Sequence, residues 1–235
     1  MSLKSLLNLF ANKKVAQPDQ RSHNKKHTNN RSKEKAMSQA KVLSERELRK
    51  VMLYCAAHAH AARNKAMLLM THLAGMRVGE VAALRLADVI TAEGEITNEV
   101  RLAAAQTKGD RGRTVLIPQR LRDELQIYLR SRYGSANLFA VCYESVGVAL
   151  FPTQKHPRRG FSASTLTQHF HYLYKRCGIA GASSHSGRRS FITNLAERGV
   201  GVHVLMHLAG HRSIATTQRY ISVTPSVMRA AVELI

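Results

Sequence analysis

The sequence predicts a mainly α-helical body carrying one small antiparallel β-sheet, and three observations carry that expectation. Apolar residues recur at helical spacing through most of the chain after residue 42. Capping residues and glycines punctuate those runs where helices should start and stop. One pair of short alternating segments flanks the polar turn Gly109-Asp110-Arg111-Gly112. A chain of 235 residues, 44% of them apolar, is long enough to bury one full-sized core.

The elements follow in order. Ser44 and Glu47 form a capping box, with Leu43 and Leu48 placed to staple it, and Leu48, Val51, Met52 and Cys55 recur on one face of the first helix. A second helix is predicted from about Ala61 to Ala74, closed by Gly75, and a third from about Arg77, carrying Val78, Val81 and Ala82 inward. Val100 and Leu102 alternate before the polar turn, and Thr114 to Ile117 return to Pro118, which makes a hairpin. Leu121, Leu125, Tyr128 and Leu129 give another helix, and residues 135–160 are expected to be irregular. Leu166, Phe170, Leu173 and Cys177 give a helix stopped by Gly178; further helices are expected from about Arg188, Val202 and Ser213. No internal repeat is visible.

Charge narrows the partners. The 36 Lys and Arg against 15 Asp and Glu give a formal net charge of +21, far beyond what solubility requires. A polyanion is therefore expected. No apolar run approaches the roughly 20 residues that span a bilayer, which favours nucleic acid over a membrane. Cys55, Cys142 and Cys177 are scattered without disulfide-like or C-x-x-C spacing and read as buried, reduced thiols. The opening MSLKSLLNLF is too short and too weakly flanked for a secretory signal, so an intracellular protein is expected. None of the twelve histidines falls in a metal-ligand pattern, so neither a metal nor another cofactor is expected.

Composition divides the chain near residue 42. Ten basic residues precede that point against Asp19 and Glu34, and residues 11–36 nearly lack large apolar side chains. This leader is expected to be disordered when free, with Lys13, Lys14, Lys25 and Lys26 among its candidate phosphate contacts. Leu3, Leu6, Leu7 and Phe10 have the spacing of one helical face, so the first ten residues read equally as a short docking helix or as unstructured chain.

Four separated segments share one kind of chemistry. Arg77 lies in AGMRVGE, His185 and Arg188 in HSGRRS, His211 in LAGHRSIATTQRY, and Tyr220 ends that segment. Each alone is commonplace. Their order and context, together with a turn lysine and a tyrosine nine residues after His211, resemble the tyrosine recombinase (phage integrase) family from about residue 43 to the end. The resemblance implies that family's catalytic-domain fold, helices around a small sheet. It implies Arg77 and Arg188 as the arginine pair, His185 and His211 as active-site histidines, Lys108 as the β-turn lysine and Tyr220 as nucleophile. Glu80 matches the acidic residue of the family's first box and is placed by helical spacing to orient Arg77. Arg111, Arg113, Arg189 and Arg212 neighbour these motifs and are candidate DNA contacts.

The roles implied by the resemblance make chemical sense. Attack of a phenol oxygen on a phosphodiester builds charge on the non-bridging oxygens, which two guanidinium groups can hold in a fixed plane. His185 is then the helper on the base side, Lys108 the general acid for the leaving 5′ oxygen, and His211 a donor to the same phosphate. Such exchange needs neither metal nor ATP. The family further implies double-stranded DNA as partner, a homotetramer on paired sites, an accessory protein that bends DNA, and a cytoplasmic, nucleoid-associated protein of a mobile element. Residues 225–235 are expected to dock on a neighbour through Val227, Met228, Ala231 and Leu234, or else to fold back onto their own domain.

Two departures stand out. The second box commonly reads H-x-L-R-H, whereas Gly187 and Arg189 stand here in place of the apolar residue and the second histidine. The arrangement is also similar to the short fimbrial-switch invertases, which lack the N-terminal core-binding domain, so a catalytic domain without that clamp half is expected. A non-cutting regulator that retains the fold, a type IB topoisomerase-like relaxing activity and a histone-like architectural protein are the alternatives.

Overall fold

The computed structural model describes residues 39–107, 111–134, 137–144, 147–221 and 225–233. Lys108, the leader lysines Lys13, Lys14, Lys25 and Lys26, the helical face at Leu3 to Phe10, and Leu234 lie outside the described residues.

Helix α1 (Glu45–Ala56) starts as its capping box requires. Ser44 Oγ accepts from the Glu47 amide at 3.3 Å, and Glu47 Oε2 accepts from the Ser44 amide at 3.1 Å. Residues 39–42, assigned to the leader by charge, group with the body, and the Lys41 amide donates to Gly181 O at 3.0 Å. The Leu43 amide donates to Ser190 Oγ at 2.9 Å, fastening this entry segment to a residue far along the chain.

Helix α2 (Ala61–Leu73) is the central pillar. Its Ala66, Met67, Leu68, Leu69 and Met70 are all fully buried, because α1, α4 and α7 pack around it. Burying each of these larger side chains stabilises the fold by about 1.5–3 kcal/mol, so the short connection to Arg77 leaves from a rigid support. Helix α3 (Val78–Ala83) follows and packs on α6. Strands β1 (Glu99–Leu102) and β2 (Arg113–Leu116) pair antiparallel, Val100 opposite Val115 and Leu102 opposite Arg113. Val100, Leu102 and Val115 face the core, as the alternation predicts.

Helix α4 (Gln119–Tyr133) buries Leu121, Leu125, Tyr128 and Leu129. The expectation of an irregular 135–160 segment is corrected by α5 (Leu138–Glu144). Asn137 Oδ1 accepts from the Phe139 amide at 2.9 Å and the Ala140 amide at 3.4 Å, which caps this short helix, and Leu138 anchors it in the core. Helix α6 (Ala163–Arg176) buries Leu166, Phe170 and Leu173 and is capped by Ser162. Then come α7 (Ser186–Glu197), which starts two residues before the expected Arg188, α8 (Val202–Ala209), α9 (Ile214–Gln218) and α10 (Pro225–Val232). On α10, Met228 and Val232 are exposed. Cys55 and Cys177 are free and buried, and burial pushes the Cys55 thiol up to about 11. Among the described residues no helix is long and apolar enough to cross a membrane.

Candidate active site

The site is organised around the end of α8. The last carbonyls of a helix have no partners within it and carry the negative end of its dipole. Here three arginines from different elements take them. Arg113 Nη1, from β2, donates to Leu208 O at 3.1 Å; Arg188 Nη2, from α7, donates to Ala209 O; Arg77 Nη2, at the start of α3, donates to Gly210 O at 3.1 Å. Arg188 Nη1 also donates to Gly75 O at 2.6 Å, just after α2. Gly210 makes the approach feasible: it sits at φ +60°, and a Cβ there would come within 2.6 Å of Arg113 Cδ.

Glu80 locks two of these guanidiniums. Its carboxylate, 1% exposed, accepts from Arg77 Nη1 at 2.7 Å and from the Arg77 amide at 2.8 Å. From the other side it accepts both Arg113 Nη2 at 2.7 Å and Nε at 3.2 Å, a forked pair. Burial alone would raise the Glu80 pKa, but the hydrogen bonds and charges of Arg113 and Arg77 hold it below the usual carboxylate value. The Arg113 guanidinium, expected as a DNA contact, is turned inward onto Glu80 and α8. Arg188 is 5% exposed, and burial reinforced by Arg77 and Arg113 lowers its pKa to about 9, so it remains a cation at neutral pH.

His211 follows Gly210 directly. Burial, then the charges of Arg188, Arg77 and Arg113, push its pKa down to about 4, so the ring is neutral at pH 7. Its Nδ1 lies 2.9 Å from Thr217 Oγ1, and its ring stacks on that of Tyr220, with centroids 5.6 Å apart and planes 20° from parallel. Tyr220 is half-buried, two residues past α9. Its carbonyl accepts from Thr193 Oγ1 of α7 at 3.1 Å, and the Arg189 guanidinium lies 5.9 Å from its ring centroid. Arg189, expected as a DNA contact, is thus placed against the Tyr220 ring. His185 is exposed immediately before α7, one helical turn from Arg188. Arg111 and Arg212 are exposed close to these motifs in sequence.

Packing accounts for the unusual Gly187. A Cβ at this position would lie 2.1 Å from Thr71 Oγ1 and 2.7 Å from His72 Nδ1. The room that an apolar side chain of the usual box would need is filled from α2 by this pair. Arg113 as a partner of Glu80, Thr217 as a partner of His211, and the Thr71–His72 filling went unread in the sequence. Only Thr217 had a local signal, its place in T-T-x-x-Y.

Residues 41–226 match the model of the phage integrase family. Among curated relatives, tyrosine recombinase XerA of Thermococcus kodakarensis is 33% identical over 174 residues, covering 73% of this chain and 55% of the relative. Tyrosine recombinase XerA of Pyrococcus furiosus is 29% identical over 171 residues, 73% of this chain and 54% of the relative. The chain thus spans about half the length of the curated relatives it matches. Among solved structures, the crystal structure of XerA recombinase aligns with TM-score 0.62 at 24% identity, over 83% of this chain and 64% of that one. The catalytic domain of bacteriophage HP1 integrase aligns with TM-score 0.55 at 21% identity, over 83% of this chain and 94% of that one. With a mainly helical body, one two-stranded sheet and the arginine, histidine and tyrosine motifs gathered at the end of α8, this chain belongs to the phage integrase family of tyrosine recombinases.

Proposed function

We propose that this chain is a site-specific recombinase that cuts and rejoins DNA through a 3′-phosphotyrosine. The observation that carries the reading is the stacking of Tyr220 on a neutral His211, next to which Arg77 and Arg188 converge on the end of α8. The Tyr220 oxygen attacks the scissile phosphorus, an O–P bond forms, and the bond to the 5′ oxygen breaks. The phenol proton leaves toward His185, which stands three residues before Arg188 at the start of α7. The 5′ oxygen takes a proton from Lys108. Arg77 and Arg188 neutralise charge growing on the non-bridging oxygens, and His211 donates to one of them. Because one phosphoester replaces another, a 5′ hydroxyl from a second strand reverses the step without ATP, and the side-chain cations supply the positive charge without a metal.

Double-stranded DNA is the partner. XerH recombinase has been solved bound to its difH substrate, and the net charge of +21 here suits the same polyanion. A homotetramer on paired sites would cover the exposed Met228 and Val232 of α10 with a neighbouring protomer. An accessory protein that bends the DNA, and a place in the nucleoid, complete the reading. The test is a nicked suicide duplex carrying the recombination site, from which the cut strand cannot be resealed. The native chain should form an adduct that survives detergent, in the presence of EDTA, and Tyr220→Phe should form none while binding the duplex normally. An adduct formed by the Phe variant would assign the nucleophile elsewhere, and an absolute magnesium requirement would overturn the side-chain mechanism.

A further inference from the structure

Between His211 and Tyr220 lies a threonine pair, Thr216-Thr217, to which the chemistry above gives no role. Thr216 is exposed, but Thr217 has no exposed surface at all. A buried hydroxyl needs a partner, and a threonine in a helix ordinarily donates back to a carbonyl three or four residues earlier. Thr217 instead has His211 Nδ1 at 2.9 Å as its hydrogen-bond partner among the described residues.

A neutral imidazole carries one N–H, so the pair can be arranged in two ways. If Nδ1 held the proton, it would donate to Thr217 Oγ1; the threonine O–H would then be a buried donor without an acceptor, and Nε2 would be bare. If the threonine O–H donates to Nδ1, both groups are satisfied and the ring proton resides on Nε2. Only the second arrangement leaves His211 a donor for a phosphate oxygen. The low pKa described above makes this choice matter at pH 7, since a doubly protonated ring would donate from either nitrogen.

We infer that Thr217 is a positioning residue for the recombinase reaction: its hydroxyl donates to His211 Nδ1, selects the Nε2–H tautomer and fixes the ring plane against Tyr220. The inference rests on the proposed function for its consequence but not for its measurement. The full chain labelled with 15N-histidine, with the His211 signals assigned by comparison with His211→Gln, should give a bare-nitrogen resonance for Nδ1 and an N–H resonance for Nε2. In Thr217→Val, which keeps the shape but loses the hydroxyl, the His211 signals should shift toward a mixture of tautomers. Single-turnover cleavage by that variant should fall about ten- to a hundredfold, the scale seen when a partner orienting a functional histidine is removed, with DNA affinity within about twofold of native as expected for a group that touches no DNA. Thr217→Ser, which restores the hydroxyl, should recover most of the rate. A protonated Nδ1 in the native chain overturns the inference, and so does a Val variant with unchanged resonances or a Ser variant as slow as Val. If the native chain formed no adduct, the recombinase reading would fall while the tautomer measurement still decided the role of Thr217.

Discussion

Arg77, Arg113 and Arg188 are fixed from several directions at once, by a buried carboxylate and by carbonyls of two helix ends. Beside His211, Tyr220 is held through its backbone carbonyl, by ring stacking and by the Arg189 guanidinium. The proposed roles of the two sides account for the contrast. Groups that stabilise developing charge act best when their dipoles are oriented before the reaction, so reorientation adds nothing to the barrier. A nucleophile must instead advance onto phosphorus and retreat with it, and a ring held by weak face contacts can do so.

The sharpest way to test this division is to compare one substitution from each side. Tyr220→Phe should abolish adduct formation entirely yet leave the melting temperature within about 2 °C, because among the described residues no hydrogen bond uses the hydroxyl. A large loss of stability would mean that the Tyr220 side is as tightly built in as the arginine side. Glu80→Ala should do the reverse and strike the fold first. It leaves two closely packed guanidiniums without their carboxylate, and breaking a buried ion network this way costs about 3–5 kcal/mol, measurable by urea denaturation; a loss under about 1 kcal/mol would show that the α8 carbonyls suffice. The pH dependence has a definite sign. Because the folded state holds Glu80 below its ordinary value of 4.5, its contribution is complete above that value and fades as pH falls through the lower folded pKa. Glu80→Gln should flatten that acid limb.

Smaller effects sharpen the picture further. Lys108→Ala should slow cleavage about a hundredfold, as for a general acid, and a sulfur in place of the bridging 5′ oxygen, which leaves unprotonated, should restore the rate. A defect that persists on the sulfur substrate would make Lys108 a binding group only. Gly187→Ala should destabilise the fold by about 1–3 kcal/mol through overpacking, and adding Thr71→Ala should return part of that loss. Strict additivity of the two changes would break the packing account of Gly187.

Much of this architecture could be read from the sequence because its signals are local. The Ser44–Glu47 box, the Gly75 and Gly178 stops and the alternation at Val100 and Leu102 each depend on neighbours within one turn or one strand. Helix α5 was legible in principle, since Asn137 ahead of an apolar run is an N-cap signal, but seven residues give too little periodicity to separate helix from loop. The role of Arg113 was not legible. An arginine beside the turn lysine looks like any cation of a basic chain, and only folding brings it to a carboxylate 33 residues away. The same holds for Gly187, whose environment is set by Thr71 and His72 on another helix.

The final turn of α8 acts as a common anchor. Leu208, Ala209 and Gly210 each tether a different arginine, and the next residue is His211. Parts drawn from β2, α3 and α7 therefore share one mooring, and a shift of that turn would disturb all three arginines and His211 together.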